Sequence, residues 1–480
     1  MKVERHASPA VTVPRLRGSA RRQARQVSGV LIAFAGAAVA LVVIGVLVVL
    51  DYRMGQAPHR LVKLALGLAG MGAITLRPRL GAFVLPVLIP FLDWLPRIPV
   101  LNAANLLVFG AFAGWIFFRA VAGQPAVRSG RLGPVLGAFI GVTVLGLIRG
   151  AAMPVIGEYP TGVAALILFR STVPFLIYFM GVSMMQGARD RRWMSAMLIL
   201  GLLAEAGVTI MLGHNGWGGT RAVGSFGQPN DLGAYLALFI CVAAAMLLGA
   251  RAWWGRLILA GAVAAGLVGI VLTLSRGAFL SVAVGLLFVA LRSSRVTALL
   301  LLVALATSPL WVPQSVKDRI SSTQREDEGS DEAALDKSNQ MRLNAWQLAL
   351  DISKQHIFDG VGYGALAWYL QDTRAQEGRE DIAGSAHNTY IRMLSEMGVF
   401  GLLAFLWLLW RCMRLSFEGV RRAASRADRQ LAVALGAATL SIAISCAFGD
   451  RFFEIQNTGN FWMLCALVQD QVIESRERPA

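Results

Sequence analysis

An all-α polytopic membrane protein is the fold this sequence predicts, and three observations predict it. Of 480 residues, 56% are hydrophobic and only 15% charged, with a mean hydropathy of +0.59, far from the balance of a soluble domain. The apolar residues gather in runs near the length a helix needs to cross hydrocarbon. Lys and Arg fall in short clusters between those runs, on alternate sides of the chain's path.

In chain order, the expected spans are residues 28–50, 61–76, 80–92, 102–118, 132–148, 162–185, 193–212, 231–248, 257–274, 277–291, 296–311, 388–410, 431–447 and 458–468. The second and third are short and the last is marginal, so the expectation is about 12 to 14 transmembrane helices. The Arg-rich segment 1–27 precedes an apolar run too long for a signal-peptide core and without a cleavage site, which reads as a retained first span. A bundle over 28–311, a polar cap over 312–386, closing helices over 387–471 and a tail over 472–480 complete the expected organisation.

With the N-terminus inside, the short cytoplasmic segments hold 27 Lys and Arg, whereas the opposite short loops hold 7. Positive charge is retained on the cytoplasmic side, so both termini are expected there and the cap outside. The net charge of +17 is spread over these anchoring clusters, which argues against a nucleic-acid partner. Cys241, Cys412, Cys446 and Cys465 lie in or beside apolar spans and read as inert core thiols.

The cap is too polar to sit in hydrocarbon, where each unpaired backbone group costs several kcal/mol. Ser338 or Asn339 begins a helix whose apolar positions Met341, Ala345, Leu348 and Ile352 form one face for docking. Gly360, Gly362 and Gly364 then turn the chain into a second helix from Ala365 to Gln376, while the acidic stretch from Glu326 to Glu332 reads as solvated.

Three features are expected on the outer surface: the loop from Gly213 to Asn230 with Arg221, the tight junction Leu274-Ser275-Arg276-Gly277, and His387 at the start of a membrane helix. An arginine with apolar neighbours at a membrane boundary needs a partner, and its planar fork of donors suits phosphate oxygens. A charge pair at about 4 Å contributes on the order of 4 kcal/mol at an effective dielectric near 20, the compensation a diphosphate leaving group needs. Arg221, Arg276 and His387, gathered at the outer edge of the membrane domain, are thus the candidate residues for a phosphate-bearing substrate. Arg392 and Glu396, spaced i, i+4, read as a structural pair inside the membrane, and Arg170 with Glu205 as a second one. No phosphate-binding Gly-rich loop, HExxH or dinucleotide fingerprint occurs, so neither metal nor cofactor is expected.

The stretches RAVGSFGQPNDLG (221–233), LSRGAF (274–279), HIFDGVGYG (356–364) and HNTYIRMLSEMGVFG (387–401) resemble the O-antigen ligase and polymerase superfamily of bacterial membrane glycosyltransferases. The resemblance covers roughly residues 213–410. It implies a metal-independent, inverting transfer from an undecaprenyl-diphosphate-linked glycan on the outer face of the inner membrane. Arg221 and Arg276 would bind the diphosphate and His387 would be the catalytic residue that activates the acceptor hydroxyl, with Arg342, Asn388 and Tyr390 as further candidates for the same pocket. The acceptor would be another glycan, lipid A core or, in some relatives, a protein hydroxyl. A transporter or flippase of lipid-linked sugars is the reading from a different class; it fits the intramembrane charges and the 50 glycines, but no internal repeat is apparent.

Overall fold

A computed structural model describes residues 76–477, apart from 95–102, 124, 126, 156–158, 214–220, 294, 312–313, 315, 318–323, 327–332, 336 and 380. The basic N-terminus, the first expected span and nearly all of the second lie outside the described residues.

The described chain is helical in the order α1 Pro78–Leu88, α2 Ala103–Val121, α3 Gly133–Ala152, α4 Thr161–Met184, α5 Ala188–Leu212, α6 Pro229–Gly249, α7 Trp253–Thr273, α8 Arg276–Ser293, α9 Arg295–Ala306 and α10 Ser308–Trp311. The cap contributes α11 Lys337–Gln355 and α12 Ala365–Gln376, and the chain closes with α13 Thr389–Arg421, α14 Arg426–Cys446 and α15 Ile455–Glu477. A three-residue antiparallel ribbon, Gln324–Glu326 against Ala333–Leu335, departs from the helical pattern within the cap segment.

Among the described residues, eight helices are long and apolar enough to cross a membrane: α3 to α8, α13 and α14. The fold is therefore the polytopic helical one. The centre of the bundle is α6 and α14, which pack on each other and on α8, with α7 beside α6 and α13 beside α14. All four cysteines are buried.

Two expected spans differ from a simple crossing, for one physical reason. The run at 80–92 is an 11-residue helix containing Pro86, continued by a 3-10 turn over Ile89–Trp94. Its freed carbonyls cannot meet water, so side chains take them: Asn460 Nδ2 donates to Pro86 O at 2.8 Å, and Ser225 Oγ and Gln456 Nε2 donate to Pro90 O at 2.7 and 3.0 Å. Two of these donors sit on α15, which is why that span looked marginal. It is buried from Ile455 through Val472, and its polar residues face protein instead of lipid.

The charges sort the two ends of the bundle. At one end Arg191 meets Asp470, Glu474 and Asp428, and Arg131, Arg422 and Arg476 surround Glu418. At the other end lie Arg149, Arg221, Arg276, His387 and Arg451, together with the cap.

The face predicted for α11 closes mainly on the cap's own second helix, with Ile391 of α13 at its edge. Ala345 and Ala349 are buried against Leu366, Leu370 and Ile382, with Met341 and Leu348 packed alongside. Ser395 Oγ donates to Ala349 O at 3.0 Å and lies 2.7 Å from Ser353 Oγ. At Gly398 (φ 65°) α13 kinks, and the helix carbonyls thereby freed are taken by the cap. Val361 N donates to Ser395 O at 2.9 Å and Gly362 N to Glu396 O at 3.0 Å, while Val399 N returns a bond to Ile357 O at 2.7 Å. Backbone approaches backbone here so closely that a Cβ on Gly360 would fall on the Glu396 carbonyl, and one on Gly398 would come within 2.5 Å of the Phe358 carbonyl. That close approach is the physical content of the glycines in HIFDGVGYG and of the glycine in SEMGVFG.

Candidate functional site

The loop that carries Arg221 is fixed from below by an acid. Glu205, fully buried on α5, accepts from Ser225 N at 3.0 Å, from Ser225 Oγ at 2.5 Å and from Thr209 Oγ1 at 3.4 Å. A Cβ at Gly224 (φ 51°) would run into that carboxylate, so glycine alone fits. The expected pairing of Glu205 with Arg170 is thus replaced: two hydroxyls and an amide from its own helix and the loop above satisfy the carboxylate. Above this anchor, Arg221 Nε donates to Thr273 O at 3.0 Å and Nη2 to Asn230 Oδ1 at 2.6 Å.

Those two bonds tie Arg221 to the start of α6 and to the end of α7, where the second arginine follows at once. Leu274 takes a left-handed conformation (φ 48°), so α7 ends and α8 begins within two residues. An L-residue held there costs about 1–2 kcal/mol. The reversal places Arg276 in the first turn of α8, and its Nη2 donates to Asn339 Oδ1 of the cap helix at 3.0 Å. Gly277 beside it faces Phe448, whose Cβ would lie 3.1 Å from a side chain added there.

His387 is the other non-glycine residue with positive φ among the described residues (47°). Its backbone is held on both sides. Trp346 Nε1 of the cap donates to Ala386 O at 2.6 Å, and Asn388 caps α13 by accepting from Tyr390 N and Ile391 N at 3.0 and 3.2 Å. Thr389 Oγ1 then donates to Gly449 O at 2.9 Å, which brings His387 against the short loop 449–454 between α14 and α15. Phe452, buried in a cluster with Phe175, Phe405 and Trp462, pins that loop to the core.

The loop adds charges that the sequence reading did not single out. Arg451, almost fully buried, donates from Nε to Asp231 Oδ1 at 3.0 Å, linking it to the residue next to Asn230 and hence to Arg221. Asp450 has a buried Oδ1 without a hydrogen-bond partner. Glu454, in the same loop, has an exposed side chain with protein packed around it; desolvation by those surroundings, with Asp231 and Asp93 nearby, pushes its carboxyl up to about 7. The available signal was four ionisable side chains crowded into GDRFFE and PND at the ends of predicted spans, more than a solvated turn requires.

Arg221, Arg276 and His387 are therefore brought into one neighbourhood by Asn230–Asp231, Phe448–Arg451 and Asn339. Arg342 joins them: it lies one turn beyond Asn339 on α11 and acts electrostatically on His387. Tyr390 and Asn388 are occupied structurally, the phenol by donating to Ala443 O at 2.8 Å and the amide oxygen by the helix cap. Arg392 pairs with Glu396 as its spacing predicts, at 3.2 Å, and its guanidinium lies over Tyr363 and Phe453.

Burial lowers the His387 pKa below the ordinary imidazole value, Arg342 lowers it further, and Asp450 and Asp231 oppose them. The ring is accordingly neutral at pH 7 and able to accept a proton. Among the described residues no group of three His, Cys, Asp or Glu side chains is placed to hold a metal ion.

A search among curated proteins returns no match. Residues 261–406 match a family model described as O-antigen ligase. That match spans Arg276, Arg342, His387 and the glycine-mediated contact of the cap with α13, and Arg221 lies outside it. The chain is thus a polytopic helical protein whose residues 261–406 are similar to the O-antigen ligase family, a likeness that supports a part in cell-surface glycan assembly.

Proposed function

We propose that this protein is a glycosyltransferase that takes a glycan from undecaprenyl diphosphate and passes it to a hydroxyl acceptor on the outer face of the membrane. The observation that carries this reading is that Arg342 acts on a neutral, half-buried imidazole beneath a docked polar cap, while Arg276 is bonded to Asn339 of the same cap helix and Arg221 to Asn230 nearby. In the reaction, His387 accepts the proton of the acceptor hydroxyl as that oxygen attacks the anomeric carbon. The bond to diphosphate breaks on the opposite face, and the arginines hold the negative charge that develops on the departing oxygen. Because those charges are fixed before the reaction, little reorganisation is needed when the diphosphate leaves.

The alternation of basic clusters supports an outer placement of the site, with both termini inside. Supplying the purified protein with a defined undecaprenyl-diphosphate-linked glycan tests the activity. Growth of the lipid-linked chain marks a polymerase, transfer to lipid A core a ligase, and transfer to a peptide hydroxyl a protein glycosylating relative. Release of no undecaprenyl diphosphate with any of the three acceptors would refute the proposal.

The imidazole also sets a pH dependence. A lowered pKa means that His387 stays deprotonated through neutral pH and becomes protonated only below the ordinary imidazole range. Transfer at saturating donor is expected to be flat through neutrality and above, and to decline only as pH falls below the ordinary imidazole value. A pH profile that instead declines from pH 8 downward would contradict a neutral base.

A further inference from the structure

At the end of the bundle away from His387 lies a cavity of about 560 Å³, framed by the last turns of α6 and α8, the end of α13 and the first turn of α14. Three arginines line it: Arg292, Arg426 and Arg429. Ser425, the N-cap of α14, and Gln430 complete the polar wall, so the positive end of a 21-residue helix faces the same space. Gln430 is only 7% exposed, and its Oε1 has no hydrogen-bond partner. The buried Nε of Arg292 also has none. Both residues line the cavity, and a buried polar atom left without a partner is costly in a folded protein.

The nearest carboxylate does not neutralise this wall. Asp428, in the same first turn, is held by Ser425 Oγ at 2.7 Å and by Arg191 at 3.3 Å. Arg426 uses Nη2 on Leu248 O at 2.7 Å, which fixes its position at the rim. The surroundings are those of a membrane interface: Trp253 and Trp254 are exposed at the start of α7, and Leu291, next to Arg292 on α8, and Val296 and Leu299 on α9 are exposed apolar residues.

We propose that this cavity binds the headgroup of an anionic glycerophospholipid, with phosphate on Arg292 and Arg429 at the α14 N-terminus and a headgroup hydroxyl donating to Gln430 Oε1. A phosphate diester suits the arginine forks, and the exposed apolar residues of α8 and α9 give acyl chains a surface that free phosphate could not use. The site is distinct from the diphosphate site proposed above, since it lies at the opposite ends of the same helices.

Native mass spectrometry of the full-length protein, released from mixed micelles of phosphatidylglycerol and phosphatidylcholine, reads the preference directly. Wild type is expected to retain phosphatidylglycerol at least about fivefold over phosphatidylcholine. Arg429→Gln should lower that ratio about threefold and Arg292→Gln with Arg429→Gln should bring it near one, each arginine acting as a charge at a shared anion. Gln430→Leu should reduce retention of phosphatidylglycerol and leave that of phosphatidic acid, which has no glycerol hydroxyl to offer. The double substitution Arg251→Gln, Arg256→Gln, at the same end but outside the cavity, should change nothing. Equal loss in that control would show diffuse attraction and overturn the site. Equal retention of both lipids by wild type, or an unchanged ratio in a double variant with wild-type melting temperature, would overturn it too. Displacement of phosphatidylglycerol by a few millimolar inorganic phosphate would assign the cavity to soluble phosphate and overturn the lipid proposal.

Discussion

Arg276→Ala and His387→Ala are each expected to lower glycan transfer at least about 100-fold while the protein accumulates normally in the membrane. Removing one preorganised charge from a departing group typically costs about 10²–10³ in rate, and removing a positioned base about 10²–10⁴. The two losses should have different pH signatures. Arg276→Ala retains His387, so its residual transfer should still decline in acid, whereas the residual transfer of His387→Ala should be flat. Arg276→Lys keeps the charge but loses the fork, and an intermediate rate is expected because its bond to Asn339 cannot be kept in the same geometry. The readout is undecaprenyl diphosphate released per protein per minute, with melting temperature as the folding check. Transfer within about threefold of wild type in both alanine variants would remove these residues from the chemistry.

Gly360→Ala is expected to unfasten the cap. The added carbon has nowhere to go, because the carbonyl of Glu396 occupies its place and that carbonyl already accepts from Gly362 N. Overpacking of a close contact costs about 1–3 kcal/mol, and a positive φ imposed on alanine adds about 1–2 kcal/mol. Gly398→Ala meets the Phe358 carbonyl from the other side and should behave the same way. Both variants should become sensitive to protease in the cap segment and lose transfer, since the undocked cap carries Asn339 and Arg342 away from Arg276 and His387. Gly378→Ala is the control: its φ is 63°, but open space surrounds it, so only the backbone term applies. If Gly360→Ala and Gly378→Ala lose the same thermal stability, the close approach at Gly360 has no special energetic role.

Much of the architecture was written along the chain. Hydropathy located the spans from α3 to α8 and both α13 and α14, because exclusion from water acts on each segment separately. The face of Met341, Ala345 and Leu348 and the pair Arg392–Glu396 were legible for a similar reason: helix periodicity fixes which residues three and four apart share a side. The abrupt junction at Arg276 was equally local, since two apolar runs meet there without residues enough for a loop.

Partnerships across long stretches of chain were not legible. Arg451 finds Asp231 from 220 positions away, Glu205 spends its charge on Ser225 and Thr209, and Asn388, a pocket candidate by its place beside His387, turns inward to cap a helix. The kink at Gly398 depends on cap amides arriving at the carbonyls it frees. Sequence by itself determined the helices, the sidedness of their charges and the residue types available for phosphate chemistry, because burial and periodicity are properties of single segments. Tertiary structure alone decided which charges meet, which are already satisfied and how neutral the imidazole is, because hydrogen bonding and desolvation depend on what other segments bring within a few ångströms.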